Sequence, residues 1–236
     1  MRLDKFLSDT SPMGRKEIKQ HIKKGKATVN GKTVKDPGSY VDETTDEVCF
    51  GGEVISYRKF VYLMLNKPEG YVSATYDKHY PVVTDLVDEE YVHFEVFPVG
   101  RLDIDTHGLL LLTNDGDLAH KLLSPKSHVP KTYYVKSEKE VSEDDIKAFE
   151  EGVELEDFKT LPGKCEITAD DKKESHLTIY EGKFHQVKRM FEARENKVVY
   201  LQRISMGSLL LDKTLPEGCV RELSSEELES LLEDIN

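Results

Sequence analysis

The sequence predicts an α+β protein in two parts. Residues 1–57 read as a small basic module of two helices and a hairpin, and residues 58–236 as a mixed, mainly antiparallel β-sheet flanked by helices. Three observations carry that expectation. Short apolar repeats at helical spacing precede an Asn-Gly turn near the N-terminus. Beyond residue 58, apolar runs of strand length alternate with amphipathic, capped segments. The charge is also split. Residues 1–35 hold ten Lys/Arg against three acids, a balance of +7, while the remainder holds 23 basic and 42 acidic residues, a balance of −19 within a total of −12. A basic head on an acidic body is the asymmetry of a nucleic-acid anchor, although charge alone fits a solvated helical face as well.

Composition narrows the class. With 38% apolar and 33% charged residues the chain suits a globular fold with a core. No apolar run approaches the ~18 residues of a membrane span, and the N-terminus lacks the apolar stretch of a signal peptide. Cys49, Cys165 and Cys219 lie far apart without metal-ligand spacing. They read as reduced and structural, a pair plus one being the alternative. The expectation is a cytoplasmic protein with no membrane association and no resident metal.

In the head, Leu3, Phe6 and Leu7 stand at i, i+3, i+4, which predicts a helix over residues 2–9. A second helix over residues 14–24 turns Ile18 and Ile22 inward and Arg15, Lys16, Lys19 and Lys23 outward, and Gly25 stops it. Two strand-like runs over residues 27–34 flank Asn30-Gly31, the strongest short hairpin signal. Asp36-Pro-Gly38 reads as a turn, residues 47–50 as an edge strand, and the stretch after Gly51-Gly52 as a linker, with the boundary near residues 56–59.

The body opens with a buried strand over residues 60–65, running into Asn66-Lys67-Pro68-Glu69-Gly70, where the Pro–Gly spacing predicts a turn. Lys67 reads either as a phosphate contact or as a solvated turn lysine. The central stretch is Pro98-Val-Gly-Arg-Leu-Asp-Ile-Asp-Thr-His-Gly-Leu-Leu-Leu-Leu112, whose leucines form a buried strand. Arg101, Asp103 and Asp105 stand directly before that strand. Charged groups on a loop anchored by a buried strand suit an active site and a charged surface loop alike. A helix over residues 117–123 and a strand over residues 131–135 follow; alternation puts Tyr133 and Tyr134 on opposite faces, so one of them can look into a cleft.

An acidic helix over residues 142–151 is capped by Ser142, and strands are expected at 164–168, 175–180, 198–204 and 209–211. A helix starts at His185 with Val187 and Phe191 inward, and Lys188 and Arg189 on its first turns oppose the helix dipole. An anion nearby, phosphate or carboxylate, would offset that cost. Ser224-Ser-Glu-Glu227 is a capping box opening a last helix, with Leu228, Leu231 and Leu232 expected inward.

These motifs resemble known proteins. The head, with Arg2-Leu-Asp-Lys-Phe-Leu7 and Val29-Asn-Gly31, is similar over residues 1–46 to the small RNA-binding module first seen in a small-subunit ribosomal protein. Gly100-Arg-Leu-Asp103, Lys131-Thr-Tyr133 and Glu181-Gly-Lys-Phe-His-Gln-Val-Lys-Arg-Met190, in that order, resemble the RsuA group of bacterial ribosomal RNA pseudouridine synthases over essentially the whole chain. The resemblance implies that a uracil is cut from its ribose, rotated and rejoined through carbon, without cofactor or metal.

It also implies roles. Asp103 would be the nucleophile, attack on sugar or base staying open, and Tyr133 would stack on the extruded base and help remove its proton. A cation of the third motif, Lys188 or Arg189, would pair with Asp103, with Arg189 favoured because its fork fits a carboxylate better. Arg101 would fill the gap left by the flipped nucleotide. Phosphates of the partner, folded or partly assembled small-subunit (16S) ribosomal RNA, would meet Arg2, Lys5, Arg15, Lys16, Lys19, Lys23 and Lys67. The expected species is a monomer. Competing readings are a synthase of large-subunit RNA, a non-catalytic ribosome-assembly factor, and a metal-binding Asp103–Asp105 pair of a nuclease or glycosyltransferase.

Overall fold

The computed structural model describes residues 1–235. The chain divides into two compact units, one of residues 1–61 together with 88–96, the other of residues 62–87 together with the described chain from 97 onward.

In the first unit, helices α1 (Leu3–Asp9) and α2 (Arg15–Lys23) pack through Leu3, Phe6, Leu7, Ile18 and Ile22, all at most 1% exposed. Strands β1 (Ala27–Val29) and β2 (Lys32–Val34) form the expected hairpin. Asn30 and Gly31 both have positive φ, 50° and 73°, the left-handed pair that matches strand twist in a two-residue turn. The edge-strand expectation for residues 47–50 is corrected. Strand β3 (Val48–Phe50) is interior, paired with β1 on one side and with β4 (Glu53–Ile55) on the other. Gly51-Gly52 is the hairpin turn between them rather than the start of a linker, and the short β4 takes the edge. The segment 88–96 carries a one-turn helix, α3 (Glu89–Val92).

The second unit is built on β5 (Tyr62–Lys67), β6 (Phe97–Pro98), β7 (His107–Thr113), helix α4 (Gly116–Leu123), β8 (Lys131–Ser137), α5 (Glu143–Glu151), β9 (Lys164–Ile167), β10 (Glu174–Ile179), α6 (Gln186–Glu192), β11 (Val198–Met206), β12 (Leu209–Leu210), β13 (Val220–Glu222) and α7 (Ser225–Glu233). The sheet order is β13-β5-β7-β11-β8-β10-β9, with β6 and β12 attached at its sides. Among these strands β7 and β11 run parallel and the other pairs antiparallel, so the sheet is mixed and mainly antiparallel, as expected. Gly108 is where β7 meets β11. A Cβ there would lie 2.3 Å from the Arg203 carbonyl oxygen, so the parallel contact requires glycine.

Alternation divides the leucine run of β7 between two buried faces. Leu109 and Leu111 pack with Met64, Met206, α4 (Leu118, Leu122) and α7 (Leu231). Ser142 caps its helix as expected, in a capping box with Asp145, and Ser224 closes the predicted capping box with Glu227. Leu232, expected inward, is 38% exposed, because α7 presents Leu228 and Leu231 to the core and the next position turns away. Strand β13 and strand β6 carry no strong period-2 pattern, and they form by pairing with β5 and β7. Among the described residues no helix is long and apolar enough to cross a membrane.

Candidate active site

The site is built on the loop leading into β7. Thr106 N–H donates to the Asp103 carbonyl at 3.0 Å and closes a turn. Ser73 grips the loop at Leu102, its hydroxyl donating to the Leu102 carbonyl at 2.9 Å and accepting from the Leu102 N–H at 3.0 Å. Below the loop stands Lys67, 0% exposed, its Nζ donating to the carbonyls of Pro68 (2.9 Å), Ile104 (3.3 Å) and Thr106 (2.9 Å). Burial lowers its pKa to about 8, against the pull of Asp105 and Asp103. Both sequence readings of Lys67 are thereby corrected. It follows Leu63 and Leu65 in the alternation of β5, so its side chain turns inward and holds the loop instead of meeting a phosphate or solvent.

The third motif supplies the facing wall. Glu181 Oε1 accepts from the Leu161 N–H (2.8 Å) and from Gln186 Nε2 (3.0 Å), and Gln186 Oε1 accepts from the Lys183 N–H (3.0 Å). These bonds fix the turn before α6, and His185 enters it in the left-handed region, φ 50°. Lys188 then reaches across the cleft. Its Nζ donates to Asp103 Oδ2 at 2.9 Å and to Asp105 Oδ1 at 2.6 Å. Desolvation works against the Lys188 charge, yet the two hydrogen bonds outweigh it and raise its pKa. Burial likewise opposes ionisation of Asp105, and Lys188 overcomes it and lowers that pKa. His185 Nε2 lies 3.6 Å from Asp103 Oδ1.

The preference for Arg189 as the partner of Asp103 is corrected. Successive helical residues point about 100° apart, so Lys188 and Arg189 cannot serve one carboxylate. Arg189 pairs with Asp157 and lies 5.3 Å over the Phe158 ring. The two cations near the helix start do find anions, and all three, Asp103, Asp105 and Asp157, are carboxylates. Asp103 and Asp105, open to a metal-ligand reading, have the Lys188 ammonium between them; among the described residues no group of three or more His, Cys, Asp or Glu is placed to hold a metal ion.

Tyr133 is 7% exposed and lines a cavity of about 60 Å³ with Arg101, Asp103, Thr106 and Lys188, while Tyr134 turns to the other face and donates to Glu174. Behind it lies Arg203, opposite Tyr133 in the sheet, 2% exposed and donating to the Leu109 carbonyl. Sequence reasoning missed Arg203, although its place in step with Leu201 on an alternating strand marks it as inward.

In the first unit, three of the expected phosphate cations converge on Asp4, which is 0% exposed: Arg15 at 2.8 Å, Arg2 at 3.1 Å and Lys19 at 3.5 Å. Burial disfavours its charge, but the Arg15 and Arg2 hydrogen bonds hold Asp4 well below the usual carboxylate range. Lys5 pairs with Asp9 at 2.7 Å, and Lys16 and Lys23 are exposed.

A carboxylate held by an ammonium, on the wall of a cavity that also contains a fixed aromatic ring, suits attack on a planar heterocyclic nucleotide. The profile of RNA pseudouridylate synthase matches residues 61–193, and that of the S4 domain residues 1–48. The chain belongs to the RNA pseudouridylate synthase family. It is 51% identical to an uncharacterised RNA pseudouridine synthase of Bacillus subtilis, with 99% of each chain covered. It is 39% identical to the ribosomal small subunit pseudouridine synthase A of Yersinia pestis, covering 98% of each. A crystal structure of a pseudouridylate synthase, 38% identical, superposes with a TM-score of 0.68 over 98% of this chain and 99% of that one. The enzyme is thus an RNA-modifying isomerase, and the family match contains Lys67, Asp103, Tyr133 and Lys188 of the site.

Proposed function

We propose that the enzyme converts a specific uridine of 16S ribosomal RNA to pseudouridine, with Asp103 as nucleophile and the uridine flipped from its stack into the cavity. The ion pair of Lys188 with Asp103 at 2.9 Å carries this reading, because it keeps one oxygen of an ionised carboxylate bound and leaves the other at the cavity wall. Asp103 attacks the nucleotide, the bond between ribose and ring nitrogen breaks, the base turns, a ring carbon bonds to the ribose in its place, and the bond to Asp103 breaks to regenerate the carboxylate. Tyr133 stacks on the base and helps remove the proton that the new carbon bond displaces. Arg101, exposed at the mouth of the cavity, fills the gap in the RNA stack. Support for a small-subunit substrate comes from the names of relatives about 40% identical over the full length, and the S4 module supplies the phosphate contacts.

The division between a binding unit at 1–57 and a catalytic unit from 58, a monomeric state and a cytoplasmic location belong to the same reading. The test is pseudouridine mapping of small- and large-subunit ribosomal RNA after incubation with wild-type and Asp103→Asn protein. One new site in small-subunit RNA, absent with the variant, is expected. A site confined to large-subunit RNA would overturn the substrate. RNA binding without a new site in either would favour an assembly factor.

A further inference from the structure

Outward from Asp103 the cleft widens to a cavity of about 800 Å³ whose wall includes Arg101, Lys183, Phe184, His185 and Lys188. Phe184 stands out on that wall. It is 74% exposed, and a phenyl ring left so open has given up most of the burial that normally stabilises it. Yet the ring is not loose. It stacks on the His185 imidazole with centroids 3.8 Å apart and planes 17° from parallel. The backbone beneath is set by the Gln186 bond to the Lys183 N–H and by the left-handed conformation of His185. His185 in turn stands beside Asp103. A single exposed aromatic on a surface needs no explanation. This one is stacked on His185, shares a cavity with the reactive carboxylate, and has Arg101, Lys183 and Lys188 on the same cavity wall, with the Lys183 ammonium 3.6 Å over the Phe158 ring and 3.8 Å from Glu181 Oε2.

Those features together match how single-stranded RNA is held: bases stack on open aromatic rings while cations meet the phosphates. We propose that Phe184, seated on His185, is the stacking platform for a nucleobase next to the target uridine, with Arg101 and Lys183 at the phosphates on its flanks. The inference rests on the reading of Asp103 as acting on a flipped uridine, and extends it: the cleft then binds at least two nucleotides, and the identity of the neighbour affects affinity through stacking strength, purines being favoured over pyrimidines.

The test uses a fragment of the RNA that the wild-type protein modifies, with 2-aminopurine placed singly on each side of the modified uridine. It is bound to full-length Asp103→Asn protein so that no turnover occurs. Quenching of 2-aminopurine is expected at one of the two positions. Adding Phe184→Ala relieves that quenching and raises Kd about tenfold, the scale of one lost base–aromatic stack, whereas adding Phe184→Tyr keeps both the quenching and the affinity. Quenching and Kd unchanged by Phe184→Ala would overturn the platform even where the wild-type protein forms pseudouridine. Absence of any pseudouridine with the wild-type protein would overturn the underlying reading, and this one with it.

Discussion

Two of the molecule's ion-pair clusters, one around Asp4 and one around Lys188, are arranged inside out relative to each other. In the first unit the acid is the hidden member: Asp4 is 0% exposed, while the side chains of Arg2, Arg15 and Lys19 around it are 47%, 47% and 45% exposed. In the second unit the cation is hidden: Lys188 is 18% exposed, while Asp103 and Asp105 are 26% and 54% exposed. The hidden partner in each case organises the open one. A buried acid that gathers three half-exposed cations presents positive charge to solvent, which suits a polyanion. A half-buried ammonium that gathers two carboxylates presents negative charge to a cavity, which suits a nucleophile. Net charge, at −12, shows neither.

This contrast makes four predictions. Asp103→Asn replaces the proposed nucleophile and lowers the single-turnover rate on substrate RNA by about 10⁴ or more, the order seen when an enzyme loses a nucleophile. Asp4→Asn strands three cations around a neutral group and destabilises the first unit by about 3 kcal/mol, the scale of a broken buried pair, read as a lower denaturation midpoint. The sign of its pH dependence follows from the lowered pKa of Asp4. Its contribution is fully present above the unfolded value of about 3.9 and is lost as pH falls through the folded one, so the wild-type protein loses this advantage over Asp4→Asn in acid.

Lys188→Met lowers the rate by about 10², because the ammonium that holds Asp103 and Asp105 across the cleft is gone. An equal loss in Arg189→Lys, whose partner is Asp157, would contradict the assignment of Lys188. Smallest in free energy is Lys16→Glu with Lys23→Glu, on exposed positions outside the Asp4 cluster. It raises Kd about tenfold near 0.1 M salt and flattens the salt dependence. Unchanged Kd and slope would mean that this face is not the anchor.

Much of the fold was legible because local rules and tertiary packing agree. Asn30-Gly31 demanded its hairpin, the leucines of β7 their burial, and Ser142 and Ser224 their helices. Tyr133 was legible as an alternative to Tyr134, and parity needed a second wall to choose between them. The readings that failed depended on three-dimensional context. Choosing Lys188 over Arg189 depends on the rotation of α6, which no spacing between the two residues reveals. Lys67 was masked by its neighbour: Lys-Pro reads as a turn, whereas β5 is buried on both faces through to its last residue. Residues 53–55 are only three long and follow Gly51-Gly52, which reads as a linker, and β4 became visible only through its pairing with β3. The burial of Asp4 was invisible, since a lone acid among basic residues looks like surface charge until α2 is packed against α1.

One crossed measurement tests the division between the two clusters most directly. RNA affinity and single-turnover pseudouridine formation at saturating RNA are measured side by side for Asp103→Asn and for the Lys16→Glu, Lys23→Glu variant. The account predicts opposite patterns: Asp103→Asn binds within about twofold of wild type and forms no pseudouridine, and the charge-reversed protein binds about tenfold more weakly but reacts at close to the wild-type rate once saturated. Parallel losses of affinity and rate in both proteins would contradict it.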